Sequence, residues 1–206
     1  MITVDFMQTD PNMYDVLKAS YKNSHEQATS LSRFGYNRDE ELSNDNQQAY
    51  FNPDKKKLIY TVTGTHNAKD WGTNAYLAVG KIKDTNRYKS ADDGLKKAKL
   101  KYGVSDASIY GHSLGGTIAG YVGGKGDTVK TIDKGATIGQ KVRSNEKAYR
   151  TAFDPVSLLN ANSKNMTTLP NTNKKVMTGL LPLDAIINGV KAHDVDSIKG
   201  QTSRFT

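Results

Sequence analysis

A serine lies between two glycines near the middle of the chain, in a pattern that is typical of nucleophilic enzymes. The stretch Gly111-His112-Ser113-Leu114-Gly115 fits the motif G-x-S-x-G. In this motif the serine occupies a sharp turn from a strand to a helix, and its hydroxyl is exposed for attack on a carbonyl carbon. The backbone N–H of Leu114, at the helix N-terminus, would then face the negative oxygen that the attack creates. The alternative is that Ser113 only caps the helix.

A serine nucleophile needs a base, and the base needs a carboxylate that orients it. The chain contains four histidines: His25, His66, His112 and His193. The last of them completes the chain order Ser…Asp…His that is typical of α/β-hydrolases, so the sequence predicts His193 as the base. The alternative is an exposed histidine in an acidic turn, because Asp194 and Asp196 follow it.

Two aspartates compete for the role of the acid. Asp133 and Asp154 each follow a predicted strand. Pro155 disfavours the helical conformation at Asp154, which leaves this residue in the extended or turn conformation expected after a strand. The sequence therefore favours Asp154 as the acid and Asp133 as an ordinary carboxylate at a strand end.

These residues need a sheet to position them, and short runs of β-branched and aromatic residues predict its strands. The predicted strands cover residues 58–63, 107–110, 128–132 and 148–153. The predicted helices cover residues 11–34, 72–80, 91–102, 114–122 and part of 180–190. The polar segments are predicted as connections, over residues 37–56 and 160–175. Strands that alternate with helices predict an α/β fold with a largely parallel sheet, and chemistry belongs at the carboxyl ends of such strands.

Length and composition limit the class of protein. A chain of 206 residues can bury one core, and we predict a single compact domain in which residues 1–50 form a helical N-terminal extension. The absence of cysteine excludes a disulfide scaffold, a cysteine nucleophile and thiolate metal sites. No cluster of histidine and carboxylate residues has metal-ligand spacing in the sequence, so neither a metal nor an organic cofactor is expected.

The chain carries a formal net charge of +8 at pH 7. Such a charge suits peripheral contact with an anionic membrane surface. We expect no nucleic-acid partner, because the basic residues are not interleaved with aromatic residues in a known nucleic-acid-binding module. The sequence has no secretory signal and no transmembrane segment, which predicts a cytoplasmic protein or one released by a non-classical route, with virion association as an option. It does not define an oligomeric state.

Two stretches around the candidate residues resemble the class 3 lipases, the fungal triacylglycerol lipase branch of the α/β-hydrolase superfamily. Residues 110–116, Tyr-Gly-His-Ser-Leu-Gly-Gly, are similar to that family's nucleophile elbow. Residues 153–156, Phe-Asp-Pro-Val, are similar to the D-P-V segment that holds its acid. The resemblance implies the α/β-hydrolase fold and a catalytic triad of Ser113, Asp154 and His193.

A third stretch, residues 62–71, is similar to the family segment R-G-T/S-x-S-x-x-D/N-W. An arginine and a serine of that segment are replaced here by Thr63 and Asn67. The resemblance implies that the backbone N–H of Thr65 is the second oxyanion donor, and that Asp70 and Trp71 belong to a lid beside the substrate. It also implies a packing role for His112. Two alternatives stay open, because Thr65 can be a turn residue that caps the next helix and Trp71 can lie in the core.

The sequence therefore predicts a serine carboxylic-ester hydrolase that acts on lipid or related esters, as a lipase, phospholipase or esterase. Catalysis would proceed through an acyl-enzyme on Ser113. The mostly polar residues 66–74 favour smaller or more polar esters, or phospholipid, over bulky triglyceride. The alternative is a non-catalytic structural or binding protein on a lipase-like scaffold, for instance a component of a virion or another large assembly.

Overall fold

The computed structural model describes residues 9–65, 82–135, 141–157, 165–173, 175, 177 and 181–201. Its helices are Met13–Ser20 (α1), Ser24–Ser30 (α2), Asn86–Tyr102 (α3), Leu114–Val122 (α4) and Leu181–His193 (α5). Its strands are Asn37–Arg38 (β1), Gln47–Asn52 (β2), Lys57–Val62 (β3), Ser108–His112 (β4), Thr128–Ile132 (β5), Glu146–Thr151 (β6) and Met166–Leu169 (β7). Short 3-10 segments cover Ser32–Phe34, Ile82–Asp84 and Val195–Ile198.

The described strands form one sheet in which each strand lies beside its neighbour in sequence. The pairs β1–β2 and β2–β3 are antiparallel, whereas all pairs from β3 to β7 are parallel. Parallel neighbours need a crossover connection. Helix α3 lies in the connection from β3 to β4, and α4 connects β4 to β5. The predicted α/β fold, a mostly parallel central sheet flanked by helices, is confirmed.

The two faces of the sheet bury separate apolar clusters, because successive residues of a strand point to opposite faces. On one face, Ile59 of β3 belongs to a cluster with Met13 and Leu17 of α1. On the other face, Tyr60 of β3 belongs to a cluster with Leu95 of α3. The N-terminal helix and the crossover helices therefore enclose the strands whose ends carry the predicted site.

The connection predicted over residues 37–56 is wrong, because β1 and β2 lie within it. The polar composition of β2 conceals a buried strand. Gln48 is fully buried, and its Nε2 donates a hydrogen bond of 3.2 Å to Oγ1 of Thr63. Its Oε1 accepts a hydrogen bond from the hydroxyl of Thr61 on β3. The side-chain amide of Gln48 is hydrogen-bonded to the neighbouring strand and can therefore occupy a buried position. Because such positions are usually apolar, the alternating pattern that predicts a strand is missing here.

The connection predicted over residues 160–175 is also wrong, because it contains β7, which pairs with β6. Within β7 only Leu169 is buried, while Thr167 and Thr168 are exposed. β7 is the last strand in the order of the described sheet. A strand with one partner can keep polar residues on its surface, so its composition resembles that of a loop.

The helix predicted over residues 11–34 is divided into α1 and α2. Each of the two helices begins at an asparagine cap. Oδ1 of Asn12 accepts a hydrogen bond from the backbone N–H of Asp15, and Oδ1 of Asn23 accepts one from that of Glu26, both over 3.0 Å.

The helix predicted over residues 91–102 begins earlier in the structure, at Asn86. It ends as expected for a glycine C-cap, since Gly103 adopts a φ of 61°. The helix predicted over residues 72–80 lies outside the described residues. Among the described helices, none combines the length and apolar character needed to cross a lipid bilayer.

Replacing Gln48 with leucine should lower the free energy of unfolding by about 1–3 kcal/mol, because the buried hydroxyl of Thr61 loses its acceptor. The double variant Gln48→Leu/Thr61→Val should recover part of this loss, since the hydroxyl that lost its acceptor is then removed as well, while the hydrogen bonds of Gln48 to Thr63 and Asn44 stay absent. Urea denaturation followed by circular dichroism compares the two variants with the parent chain. A double variant that is no more stable than the single variant would contradict this account of β2.

Candidate active site

Ser113 lies at the junction of β4 and α4, in a backbone conformation that few residues adopt. Its φ is 57° and its ψ is −128°, and the surrounding structure must hold such strain in place. A Cβ on Gly115 would overlap the carbonyl oxygen of Val62, and a Cβ on Gly111 would lie 2.5 Å from the carbonyl oxygen of Gly115. Close backbone contacts on both sides of the turn therefore require the glycines of the G-x-S-x-G motif.

The structure brings Ser113, His193 and Asp154 into one hydrogen-bonded series. Oγ of Ser113 is 2.8 Å from Nε2 of His193, and Nδ1 of His193 is 2.7 Å from Oδ1 of Asp154. All three residues are buried. A carboxylate only accepts hydrogen bonds, so the imidazole carries a proton on Nδ1, and the neutral form of the ring can accept the serine hydroxyl at Nε2.

Three different elements supply these side chains. Ser113 follows β4 and Asp154 follows β6, which are the two neighbours of β5 in the sheet. Because these strands are parallel, their carboxyl ends lie at one edge of the sheet. His193 is the last residue of α5. The arrangement therefore depends on the sheet for two of its members and on the end of a helix for the third.

The surroundings of Asp154 keep its carboxyl group ionised. Burial raises the pKa of Asp154, but the hydrogen bond and charge of His193 and the hydrogen bonds from Ser157 bring it below its usual value. The backbone N–H of Ser157 donates to Oδ2 of Asp154 over 2.6 Å. The carboxylate can therefore orient the imidazole at neutral pH.

The competing aspartate, Asp133, lies near the same imidazole but does not share its hydrogen bond. A carboxylate oxygen of Asp133 lies within 4.8 Å of a ring nitrogen of His193. The two oxygens instead accept hydrogen bonds from Thr151, over 2.5 Å from its backbone nitrogen and 2.8 Å from its Oγ1. Burial and the charge of Asp154 raise the pKa of Asp133 to about 7. Asp133 therefore keeps its proton at mildly acidic pH, where Asp154 is ionised.

His112 contacts the series and Tyr21 contacts His112, although the sequence predicts no functional role for Tyr21 and only a packing role for His112. Nδ1 of His112 is 2.6 Å from the hydroxyl of Tyr21, and Nε2 is 2.7 Å from the carbonyl oxygen of His193. Burial lowers the pKa of His112 to about 3, so its ring is neutral. In the sequence Tyr21 is one more apolar position after α1, and only the folded chain reveals its contact with the site.

Ring nitrogens of His112 and His193 and a carboxylate oxygen of Asp133 lie within 4.8 Å of one another, as metal ligands would. Each of the three side chains is already hydrogen-bonded. The nitrogens of His193 contact Ser113 and Asp154. Within the described ranges we therefore interpret this group as a hydrogen-bonded network and not as a metal centre.

The two predicted oxyanion donors lie on opposite sides of Ser113 in sequence. Leu114 is the first residue of α4, so its N–H is one of those that have no acceptor within the helix. Thr65 follows Gly64, whose backbone lies against Ser113, because a Cβ on Gly64 would be 3.0 Å from Cβ of Ser113. The predicted lid residues lie outside the described part of the chain: Asp70 and Trp71.

A cavity of about 670 Å³ lies beside the loop that carries Asp154. Its walls combine apolar residues with lysines, asparagines and one carboxylate, and they include Phe153, Pro155, Pro170, Lys175, Lys191, Asn171, Asn173, Asn188 and Asp154. Phe153 is 75% exposed, and Nζ of Lys175 lies 5.6 Å from the centre of its ring. An exposed aromatic ring in such a wall suits a molecule with an apolar part.

The chain shows little similarity to known proteins. No protein-family model matches it, and no curated protein is significantly similar to it. Among solved structures, it resembles the Lip2 lipase from Yarrowia lipolytica, with a TM-score of 0.38 and 16% sequence identity over 69% of each chain. A likeness at this level does not define a family.

Gly115→Ala should lower the free energy of unfolding by about 1–3 kcal/mol, because the added methyl group would overlap the carbonyl oxygen of Val62 and force the turn to shift. Gly126→Ala is the matched control, since a Cβ there would meet only Cβ of Asp106, at 3.9 Å. Urea denaturation of both variants measures the difference. Equal stability of the two variants would contradict the close packing described for the turn.

The stability of the protein should depend on pH through Asp133. Its pKa is 3.8 in its unperturbed state and about 7 in the folded chain. Between these values the folded state binds more protons than the unfolded state, so the contribution of Asp133 to the free energy of unfolding falls as pH rises. Asp133→Asn cannot titrate, so its stability relative to the parent chain should increase between about pH 4 and 7. Urea denaturation across this range tests the prediction, which a constant difference would exclude.

Proposed function

We propose that the chain is a serine carboxylic-ester hydrolase in which Ser113 is the nucleophile, His193 is the general base and Asp154 orients His193. One observation carries this proposal: the hydrogen-bonded series from Oγ of Ser113 through both ring nitrogens of His193 to Oδ1 of Asp154, with contacts of 2.8 and 2.7 Å. The strained backbone at Ser113, between a strand and a helix, also supports it.

In the proposed acylation step, Oγ of Ser113 attacks the ester carbonyl carbon while Nε2 of His193 takes the hydroxyl proton. When the tetrahedral intermediate collapses, the bond to the alcohol oxygen breaks and His193 gives its proton to that oxygen. Water then attacks the acyl-enzyme, with His193 again taking the proton and returning it to Oγ as the carboxylic acid leaves. Asp154 stabilises the imidazolium through Nδ1 in both halves of the reaction.

The negative oxygen of each tetrahedral intermediate needs hydrogen-bond donors. We assign this role to the backbone N–H groups of Leu114 and Thr65. A donor of this kind contributes about 2.7–4 kcal/mol to transition-state stabilisation. The position of Leu114 at the start of α4 supports its assignment, because the helix dipole favours negative charge at that end.

The substrate that suits this surface is an ester of a lipid or a related amphiphile. The cavity beside Asp154 does not include Ser113 in its walls, so we assign it to a part of the ester away from the reacting carbonyl. Its apolar residues suit an acyl chain, and Lys175 and Lys191 suit a negative group such as a phosphate. The net charge of +8 suits an approach to an anionic membrane surface. We therefore favour an anionic ester such as a phospholipid over a neutral glyceride.

A fluorophosphonate probe tests the nucleophile directly. Intact mass spectrometry should find one adduct on the parent chain, mapped to Ser113, and none on Ser113→Ala. Labelling of His193→Gln should be slower by about 100-fold or more, because the base is lost. His25→Gln is the matched control, since His25 is exposed on α2 and should label at the parental rate.

Two results would overturn the proposed function. The first is an unlabelled parent chain that is folded by circular dichroism and stays unlabelled when phospholipid vesicles are added. This result would favour a non-catalytic structural or binding role. The second is hydrolysis of a p-nitrophenyl ester that continues at the parental rate in Ser113→Ala.

A further inference from the structure

The hydroxyl of Tyr21, at the end of α1, connects two segments that flank the candidate nucleophile. It is 2.6 Å from Nδ1 of His112 and 2.9 Å from the backbone nitrogen of Gly64. Tyr21 is 43 residues from Gly64 and 91 residues from His112 in sequence. The rings of Tyr21 and His112 also meet edge to face, with centroids 5.5 Å apart. The contact is therefore a specific tertiary interaction on which three segments converge.

The chemistry of these groups fixes the direction of every hydrogen bond. The carbonyl oxygen of His193 can only accept, so Nε2 of His112 donates to it, over 2.7 Å. Since the ring of His112 is neutral, its Nδ1 accepts the proton of the Tyr21 hydroxyl. The oxygen of Tyr21 in turn accepts the N–H of Gly64. One arrangement of protons thus satisfies the whole path from Gly64 to His193.

At one end of this chain of hydrogen bonds, His112 fixes the backbone of the candidate base, His193. His193 is the last residue of α5, so its carbonyl oxygen has no donor within the helix. His112 supplies that donor from the residue before the nucleophile. The backbone of His193 is therefore tied to the strand that presents Ser113, in addition to the hydrogen bond between their side chains.

At the other end, the hydroxyl of Tyr21 fixes the backbone of Gly64, the residue before Thr65. The peptide unit between Thr63 and Gly64 is bonded on both sides. Its N–H donates to Tyr21, and its carbonyl oxygen accepts a hydrogen bond from the guanidinium of Arg87. Gly64 joins this peptide to the next one, which carries the N–H of Thr65, so the two hydrogen bonds restrict the positions that this N–H can occupy.

We propose that Tyr21 is a positioning residue for the reaction at Ser113. Its hydroxyl fixes the position of residues 64–65 relative to His193, because it binds Gly64 directly and His193 through His112. The hydroxyl leaves no room for a side chain at position 64, since a Cβ on Gly64 would overlap it. This inference rests on the proposed function, and it assigns part of the active-site geometry to the N-terminal segment, where the sequence shows no motif.

Tyr21→Phe keeps the ring and removes the hydroxyl, so it tests the inference. We expect kcat for a soluble p-nitrophenyl ester to fall about 10- to 100-fold with KM little changed, because small displacements of the reacting groups slow the chemical step. Labelling by the fluorophosphonate should slow by a similar factor. A variant with altered KM and parental kcat would overturn the inference, since the substrate surface and not the reacting groups would then depend on Tyr21.

Tyr60→Phe is the matched control. The hydroxyl of Tyr60 also makes a hydrogen bond in the interior, to the carbonyl oxygen of Ala91 over 3.0 Å, but on the other face of the sheet. This variant should lose thermal stability and keep the parental kcat when all proteins are assayed well below their melting temperatures.

Two outcomes separate the inference from the proposed function. An active parent chain with parental kcat in Tyr21→Phe, or with equal losses of kcat in the two variants, would overturn the positioning role alone. A parent chain that neither hydrolyses the ester nor labels would overturn the proposed function, and the positioning role with it.

Discussion

The backbone turn at Ser113 is the constraint on which the rest of the site depends. A serine with a φ of 57° needs neighbours that hold it there. The glycines at 111 and 115 let β3, β4 and α4 approach within contact distance of one another, so that backbone packs on backbone. Once the turn is held in this way, the edge of the parallel sheet brings Asp154 to the same place, and the end of α5 brings His193.

Two buried carboxyl groups near one imidazole require that their protonation states differ. Two negative charges in such surroundings would repel each other and lose hydration. The structure separates them by their partners. Asp154 is hydrogen-bonded to the imidazole of His193 and to backbone N–H groups, so it stays ionised. Asp133 is hydrogen-bonded to Thr151, and its pKa is raised to about 7. The site therefore has one negative charge facing one imidazole, which is the arrangement that base catalysis needs.

The parts of the site that depend on local backbone geometry can be predicted from the sequence. The motif around Ser113 specifies a turn, and Pro155 restricts the conformation of Asp154. The choice between Asp154 and Asp133 is harder, because both follow parallel strands. In the sequence it depends on Pro155 and the D-P-V stretch, and in the structure Asp154, of the two, makes the hydrogen bond to His193.

The features that the sequence does not reveal are polar groups satisfied by distant partners. Strand β2 is hidden because Gln48 replaces an apolar residue and finds its partners on β3. The contact of Tyr21 with His112 is hidden because a tyrosine after an apolar helix pattern is compatible with simple packing. Both features depend on contacts between side chains that are distant in sequence. Periodicity and motif spacing describe only local sequence, so they do not predict such contacts.

Two hydrogen bonds of the site join residues that are further apart in sequence than any paired residues of the described sheet. Every described strand pairs with its neighbour along the chain, whereas Ser113 and His193 are 80 residues apart and Tyr21 and His112 are 91 apart. Contacts of high sequence separation cost more chain entropy and tend to form late in folding. We therefore expect the sheet to assemble first and these contacts of the site last.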